Sequence, residues 1–122
     1  MAGYSILLVD DATFMRMAVA QMLADTEFQV VGEAANGKEA LDRYRTLWPD
    51  LVLLDVVMPE MDGQQALVGL KQLDPQARVI MASSLGEASR QREFIAAGAK
   101  DYLVKPYEQE RLLQALRQAV QT

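Results

Sequence analysis

Asp10 and Asp11 follow the apolar run SILLV, Asp55 follows LVLL, Ser83 follows RVIMA and Lys105 follows DYLV. Parallel strands of an α/β sheet carry their ligands at their carboxyl ends, so this placement gathers three carboxylates, a hydroxyl and an ammonium in one crevice. Carboxylates about 5 Å apart repel by roughly 3 kcal/mol per pair at an effective dielectric near 20, so a bare acid trio calls for a cation. All-oxygen donors favour Mg²⁺, which keeps several waters and shares its shell with phosphate. Ca²⁺ fits less well, because the acids lack the spaced D-x-D-x-D-G loop of an EF-hand. Such a centre serves either hydrolysis of a phosphate or attack on phosphorus by a carboxylate that the metal shields. Asp55, alone at the tip of its run, is the better nucleophile, whereas Asp10 and Asp11 are adjacent and diverge around one cation. Lys105 and Ser83 supply charge and a hydrogen bond to phosphoryl oxygens.

Each residue alone has an ordinary use. An Asp pair after a strand is a common helix N-cap, and Asp55, Ser83 and Lys105 could be a turn residue, a loop hydroxyl and a surface amine. Their joint appearance at the ends of four apolar runs carries the functional reading. Lys105-Pro106 adds to it, since a proline there can hold a cis bond.

The elements that must position these groups read as five βα units. After SILLV, the rows Phe14, Ala18, Met22 and Met15, Val19, Leu23 predict one buried helix face. QVVGEA is the second strand, Asn36 caps a helix carrying Ala40, Leu41, Tyr44, Leu47 and Trp48, and Pro49 closes it. LVLL is apolar throughout, as a strand covered on both faces must be, and so lies centrally. Residues 55–63, DVVMPEMDG, form the longest irregular stretch, with turn signals at Pro59 and Asp62-Gly63, before a helix with Ala66, Leu67, Leu70 and Leu73. RVIMA is the fourth strand. The next helix, near 87–97, has a weak stripe in Phe94 and Ile95 and ends at Gly98, which suits a left-handed cap; it should be the least firmly held. DYLV is the fifth strand, and the last helix carries Leu112, Leu113, Leu116, Ala119 and Val120 on one face. Right-handed crossovers then give a doubly wound, flavodoxin-like α/β fold, (βα)5, with a five-stranded parallel sheet in the order 2-1-3-4-5 and the acids at its switch point.

The 122 residues suffice for one domain with its own core. With no Cys there is no disulfide framework, and with no His the imidazole-based zinc, iron and acid/base chemistries are excluded. A net charge of -5 disfavours direct contact with nucleic acid. No signal peptide is visible and no apolar run approaches the roughly 18 residues of a membrane helix, so the expectation is a soluble, cytoplasmic chain with no membrane partner.

LLVDD, LLDVVMPEMDG, VIMASS, GAKDYLVKPY and the helix start NGKEAL resemble the receiver domain of two-component response regulators across essentially residues 1–122. DDATFMRM, MPEMDG, ARVIMASSLGE and AGAKDYLVKP are most similar to single-domain chemotaxis regulators of the CheY kind. The resemblance implies that Asp55 is the phosphoacceptor and that Asp11 and Asp55 bind Mg²⁺ directly. It implies that Asp10 holds a metal-bound water and that the Val57 carbonyl completes the protein ligands. Ser83 is then the switch hydroxyl, Lys105 the phosphate-pairing lysine, and Tyr102 the aromatic whose inward rotation reports activation. A sensor histidine kinase supplies the phosphoryl group, the chain catalyses only its own modification, and the fourth helix, fifth strand and fifth helix change their surface. Flagellar rotation through a flagellar switch protein, a dedicated phosphatase as further partner and a monomeric state are also implied. A receiver cut from a longer regulator with a DNA-binding or enzymatic output has the same signatures.

Departures from the family pattern are Ser84, where Ala is usual, Tyr107, where Phe is common, and apolar Val57 and Leu85 flanking the phosphoryl site. The last two should hinder an attacking water. A Mg²⁺-dependent aspartyl-phosphate phosphatase of the haloacid dehalogenase type requires D-x-D after its first strand, and Asp10-Asp11 and Asp55-Val56-Val57 do not provide it. A flavodoxin-like cofactor carrier requires a Ser/Thr/Gly-rich loop where this chain has Asp-Asp-Ala-Thr. Trp48, at the end of the second helix and on the far edge from the acids, reads as core.

Overall fold

The structure is a computed structural model and describes residues 3–84, 86 and 88–121. Strands β1 (Tyr4–Val9), β2 (Phe28–Ala34), β3 (Leu51–Asp55), β4 (Val79–Ser83) and β5 (Asp101–Val104) alternate with helices α1 (Thr13–Leu23), α2 (Gly37–Leu47), α3 (Gly63–Leu73), α4 (Ala88–Ala96) and α5 (Gln109–Ala119). All strand pairs are parallel, in the order β2-β1-β3-β4-β5. This is the expected doubly wound sheet, with β1 and β3 adjacent at the point where the winding reverses.

Strand periodicity divides the core in two. Leu7, Val9, Val52, Leu54, Val79, Met81 and Tyr102 face α2, α3 and α4 and meet Tyr44, Leu67, Leu70 and Phe94. Ile6, Leu8, Leu51, Leu53, Ile80, Ala82 and Leu103 face α1 and α5 and meet Val19, Leu23, Leu112 and Leu116. β3, which serves both sides, is buried at every position.

The helix ends follow local rules. Asn36 accepts a hydrogen bond from the Glu39 amide at 2.9 Å, as its N-cap role requires. Asp62 accepts from the Gln65 amide at 2.9 Å while the Gln65 side chain accepts from the Asp62 amide at 3.2 Å, a reciprocal capping box that starts α3. Gly98, with φ at 111°, ends α4 in the left-handed region, and the Ala99 amide reaches back to the Phe94 carbonyl at 3.0 Å. The Lys105-Pro106 bond is cis.

Three expectations are corrected. On α1 the sheet takes only the row with Val19 and Leu23, leaving Met15, Ala18 and Met22 half-buried and Phe14 71% exposed, because Phe14 stands about 100° around the helix from Met15. Trp48 is not core: α2 stops at Leu47, Trp48 turns left-handed at φ 44°, and its ring leaves the helical stripe to lie 57% exposed. In α4 only Phe94 of the anticipated pair is buried, Ile95 facing outward, and residue 87 lies outside the described residues.

Candidate functional site

The carboxyl ends of β1, β3 and β5 converge at one rim. Asp10 and Asp11 leave β1, Asp55 is the last residue of β3, and Lys105 follows β5. The Asp10 amide bonds the Ala34 carbonyl at 3.1 Å and the Val56 amide bonds the Ala82 carbonyl at 3.0 Å, so the ladders extend one residue past β1 and β3 and fix where the acids stand. Beyond Val56 the chain turns at once, its carbonyl accepting from the Gly63 amide at 2.8 Å. A side chain at Gly63 would put its Cβ 2.6 Å from the Val56 Cα, so this tight return demands glycine.

One oxygen from each of Asp10, Asp11 and Asp55 lies within 4.8 Å of the other two. Asp11 is exposed, Asp10 half-buried and Asp55 only 7% exposed. The Lys105 ammonium stands between two of them, 2.9 Å from Asp10 Oδ2 and 3.3 Å from Asp55 Oδ1. Asp10 Oδ1 accepts from the Ala12 amide at 2.9 Å, which turns the chain into α1. The arrangement therefore holds three acidic side chains against one ammonium, a donor set made only of oxygens and short of positive charge.

Titration follows from this placement. Burial raises the Asp55 pKa above its ordinary value, the charges of Asp10 and Asp11 push the same way, and Lys105 opposes them. For Lys105, burial acts downward, but the Asp10 hydrogen bond and the charges of Asp55 and Asp10 outweigh it and the net shift is upward. The Tyr107 phenol is pushed up to about 12 by burial and then by Asp10 and Asp55, so it stays neutral beside the acids.

Ser83 is buried at the end of β4, next to Ala82, which is paired in register with Asp55. Its carbonyl accepts from the Lys105 amide at 2.8 Å, tying hydroxyl and ammonium to one backbone step. Val57, two residues past Asp55, projects a 61% exposed side chain at the rim. Leu85 and residue 87 are outside the described residues. Tyr102 stands apart from the acids on the α4 side of the sheet, already 4% exposed, with its ring centroid 5.8 Å from that of Phe94. Next to it a groove of about 690 Å³ runs between α4 and α5, lined by Gln91, Tyr102, Val104, Tyr107, Glu108 and Arg111.

One residue without a motif enters the site. Arg16 of α1 donates from Nη1 to the Asp10 carbonyl and from Nε to Glu33 Oε1 of β2 at 2.7 Å. Its sequence signal is slight: a cation at the edge of an apolar helical stripe, one turn after an acid pair.

Among the described residues no helix is long and apolar enough to cross a membrane. Residues 6–117 match the response regulator receiver domain. The chain is 48% identical over 118 residues to the chemotaxis protein CheY of Bacillus subtilis, covering 97% of this chain and 98% of that one. It is 43% identical over 114 residues to CheY of Thermotoga maritima, covering 93% and 95%. The crystal structure of the CheX-CheY-BeF3-Mg+2 complex from Borrelia burgdorferi contains a chain that superposes with a TM-score of 0.91 at 34% identity, over 94% of this chain and 87% of that one. Motifs, sheet order and acid rim thus agree with the whole-chain likeness, and the chain belongs to the response regulator receiver domain family.

Proposed function

We propose that this chain, over residues 1–122, is a phosphorylation-controlled signalling switch in which Asp55 takes a phosphoryl group from a sensor histidine kinase. The observation that carries the proposal is the trio Asp10, Asp11 and Asp55, oxygens within 4.8 Å, bridged by Lys105 at the carboxyl ends of the strands. Asp55 supplies the attacking oxygen: a P–O bond to its carboxylate forms as the P–N bond to the donor imidazole breaks. Ionised Asp55 is the reactive form, and the burial that raises its pKa leaves the attacking oxygen poorly solvated.

The residues fit Mg²⁺. The donors are all hard oxygens, and the site is short of positive charge by more than Lys105 provides. Asp11 and Asp55, the Val57 carbonyl and, through water, Asp10 would hold the ion. When bound it neutralises the charge that gathers on the phosphoryl oxygens. Lys105, already aimed at Asp10 and Asp55, pairs with a phosphoryl oxygen, and the Ser83 hydroxyl donates a hydrogen bond to another. Phosphorylation brings about one and a half to two negative charges, and these cations and donors absorb them.

Ser83 and Tyr102 convert the charge into a changed surface. A Ser83 side chain drawn toward the phosphoryl group alters the packing on β4 beside Tyr102, and Tyr102 presses on Phe94 of α4. The surface built from α4, β5 and α5, with its groove, then favours a different partner. The likeness to chemotaxis proteins supports a flagellar switch protein as that partner, and the CheX-bound relative supports a phosphatase as another. The chain acts as a cytoplasmic monomer that turns over nothing but its own modification.

Incubation with acetyl phosphate and Mg²⁺ tests the core of this. The chain should gain one phosphoryl mass that is absent in Asp55→Asn and in the presence of a chelator. Labelling that persists in Asp55→Asn would overturn the assignment.

A further inference from the structure

Arg16 has a side chain largely withdrawn from solvent, with partners on three elements. Its Nη1 donates to the backbone carbonyl of Asp10, its Nε to Glu33 Oε1 at 2.7 Å and its Nη2 to Thr13 Oγ1 at 3.3 Å. The guanidinium thus joins the end of β1, the start of α1 and the edge strand β2 in one planar fork. Asp10 is held in turn at four points: its amide donates to the Ala34 carbonyl, its carbonyl accepts from Arg16, Oδ1 from the Ala12 amide and Oδ2 from Lys105. Beside it lies a small, partly open cavity of about 10 Å³, bounded by Arg16, Asp10, Asp55 and Tyr107 among others. That is scarcely the volume of one water, so Asp10 has little room to drift inward.

Glu33 balances the Arg16 charge, so the pair adds little net field to the acid rim. What it contributes is direction. We propose that Arg16, oriented by Glu33, is a positioning residue of the acid site, fixing the backbone of Asp10 so that its carboxylate faces Asp11, Asp55 and an incoming Mg²⁺. The inference rests on the Mg²⁺ reading given above. A lysine at this position would keep the charge but not the fork, because one ammonium cannot hold the Asp10 carbonyl and Glu33 in a fixed plane.

Calorimetric titration of Mg²⁺ into the full chain separates these effects, with Arg16→Lys and Glu33→Gln beside the parent at a temperature where circular dichroism shows each folded. Partners that orient a metal ligand typically shift metal affinity by about 10-fold or more. Arg16→Lys should therefore weaken Mg²⁺ binding about 10-fold, and Glu33→Gln should weaken it less but in the same direction. The acetyl phosphate labelling rate at saturating Mg²⁺ should fall less than the affinity. A purely structural role would lower the melting temperature and leave the Mg²⁺ affinity of the folded protein where it was. Parental affinity in both variants overturns the inference and leaves the metal reading intact. If Arg16→Lys fails to fold, Glu33→Gln decides alone, parental affinity in it being the overturning result. A parent chain that takes up no Mg²⁺ overturns the metal reading and this inference together.

Discussion

Tyr44 and Trp48 meet edge to face with ring centroids 5.3 Å apart, yet only the tyrosine is inside the protein. Tyr44 is anchored by its hydroxyl, which donates to Asp74 at 2.8 Å, while Trp48 covers it from the solvent side. Trp48 sits just before β3 begins, at the opposite end of the sheet from the acids. Titrating Mg²⁺ should leave its fluorescence nearly unchanged, while acrylamide should quench it readily. A strong Mg²⁺-dependent quench would mean that the α2 end and the acid rim move together.

Asp55→Asn should stabilise the metal-free chain at neutral pH by on the order of 1 kcal/mol, because burial and then the charges of Asp10 and Asp11 disfavour the carboxylate by more than Lys105 returns. The sign follows from linkage. Folding raises the Asp55 pKa above its ordinary 3.8, so the folded chain keeps that proton to higher pH than the unfolded chain. Parental stability therefore declines as pH rises through 3.8 to the raised folded value and is level in this respect above it. The advantage of Asn should be full above the raised folded value and absent below pH 3.8. Thermal melts across that range, with chelator present, check it.

Val57→Asn should shorten the life of phosphorylated Asp55. The valine side chain stands exposed at the rim two residues past Asp55; on the proposed reading, an apolar group there would keep water from settling in line with the phosphoryl bond. An amide in its place offers that water a hydrogen bond. Loss of label after removal of acetyl phosphate should be several times faster, and an unchanged decay would assign water control elsewhere.

Phe94→Ala should loosen α4 and little else. Phe94 is the one large apolar side chain that α4 buries among its described residues, packed on Tyr102 and covered outside by the Arg90 guanidinium 5.5 Å from the ring centroid. Removing a buried phenyl costs about 3–5 kcal/mol, more than a nine-residue helix can replace from its own hydrogen bonds. Hydrogen exchange should speed up across α4 while β3 amides keep their protection. Uniform loss across the sheet would show instead that α4 is integral to global stability.

Strand positions were legible in the sequence because each apolar run is short, bounded and followed by a chemically distinct residue, as in LVLL before Asp55. The acid trio with Lys105 was legible for the same reason: strand ends in a doubly wound sheet converge whatever the intervening helices do. Helix faces were less so. Phe14 and Val19 are both apolar, and Phe14 stays out because it stands about 100° around the helix from the row of Met15, Val19 and Leu23 that meets the sheet. Trp48 belongs to an apolar stripe on paper, but the left-handed turn before Pro49 removes it from the helix, a backbone event that side-chain spacing does not record. Arg16 was hidden because the partners that tie it to the site's strands are a backbone carbonyl and a glutamate 17 positions away, neither of which leaves a local pattern.

The alternation along β1, β3, β4 and β5 gives the sheet the character of a bulkhead. Leu51 and Leu53 belong to one compartment and Val52 and Leu54 to the other, with no side chain shared. Tyr102 opens onto the α4 compartment and Leu103, the next residue, onto that of α1 and α5. A disturbance at the rim can therefore flood one compartment and leave the other dry. The helices on the two faces can wear and change independently, although they are separated by the thickness of a single sheet.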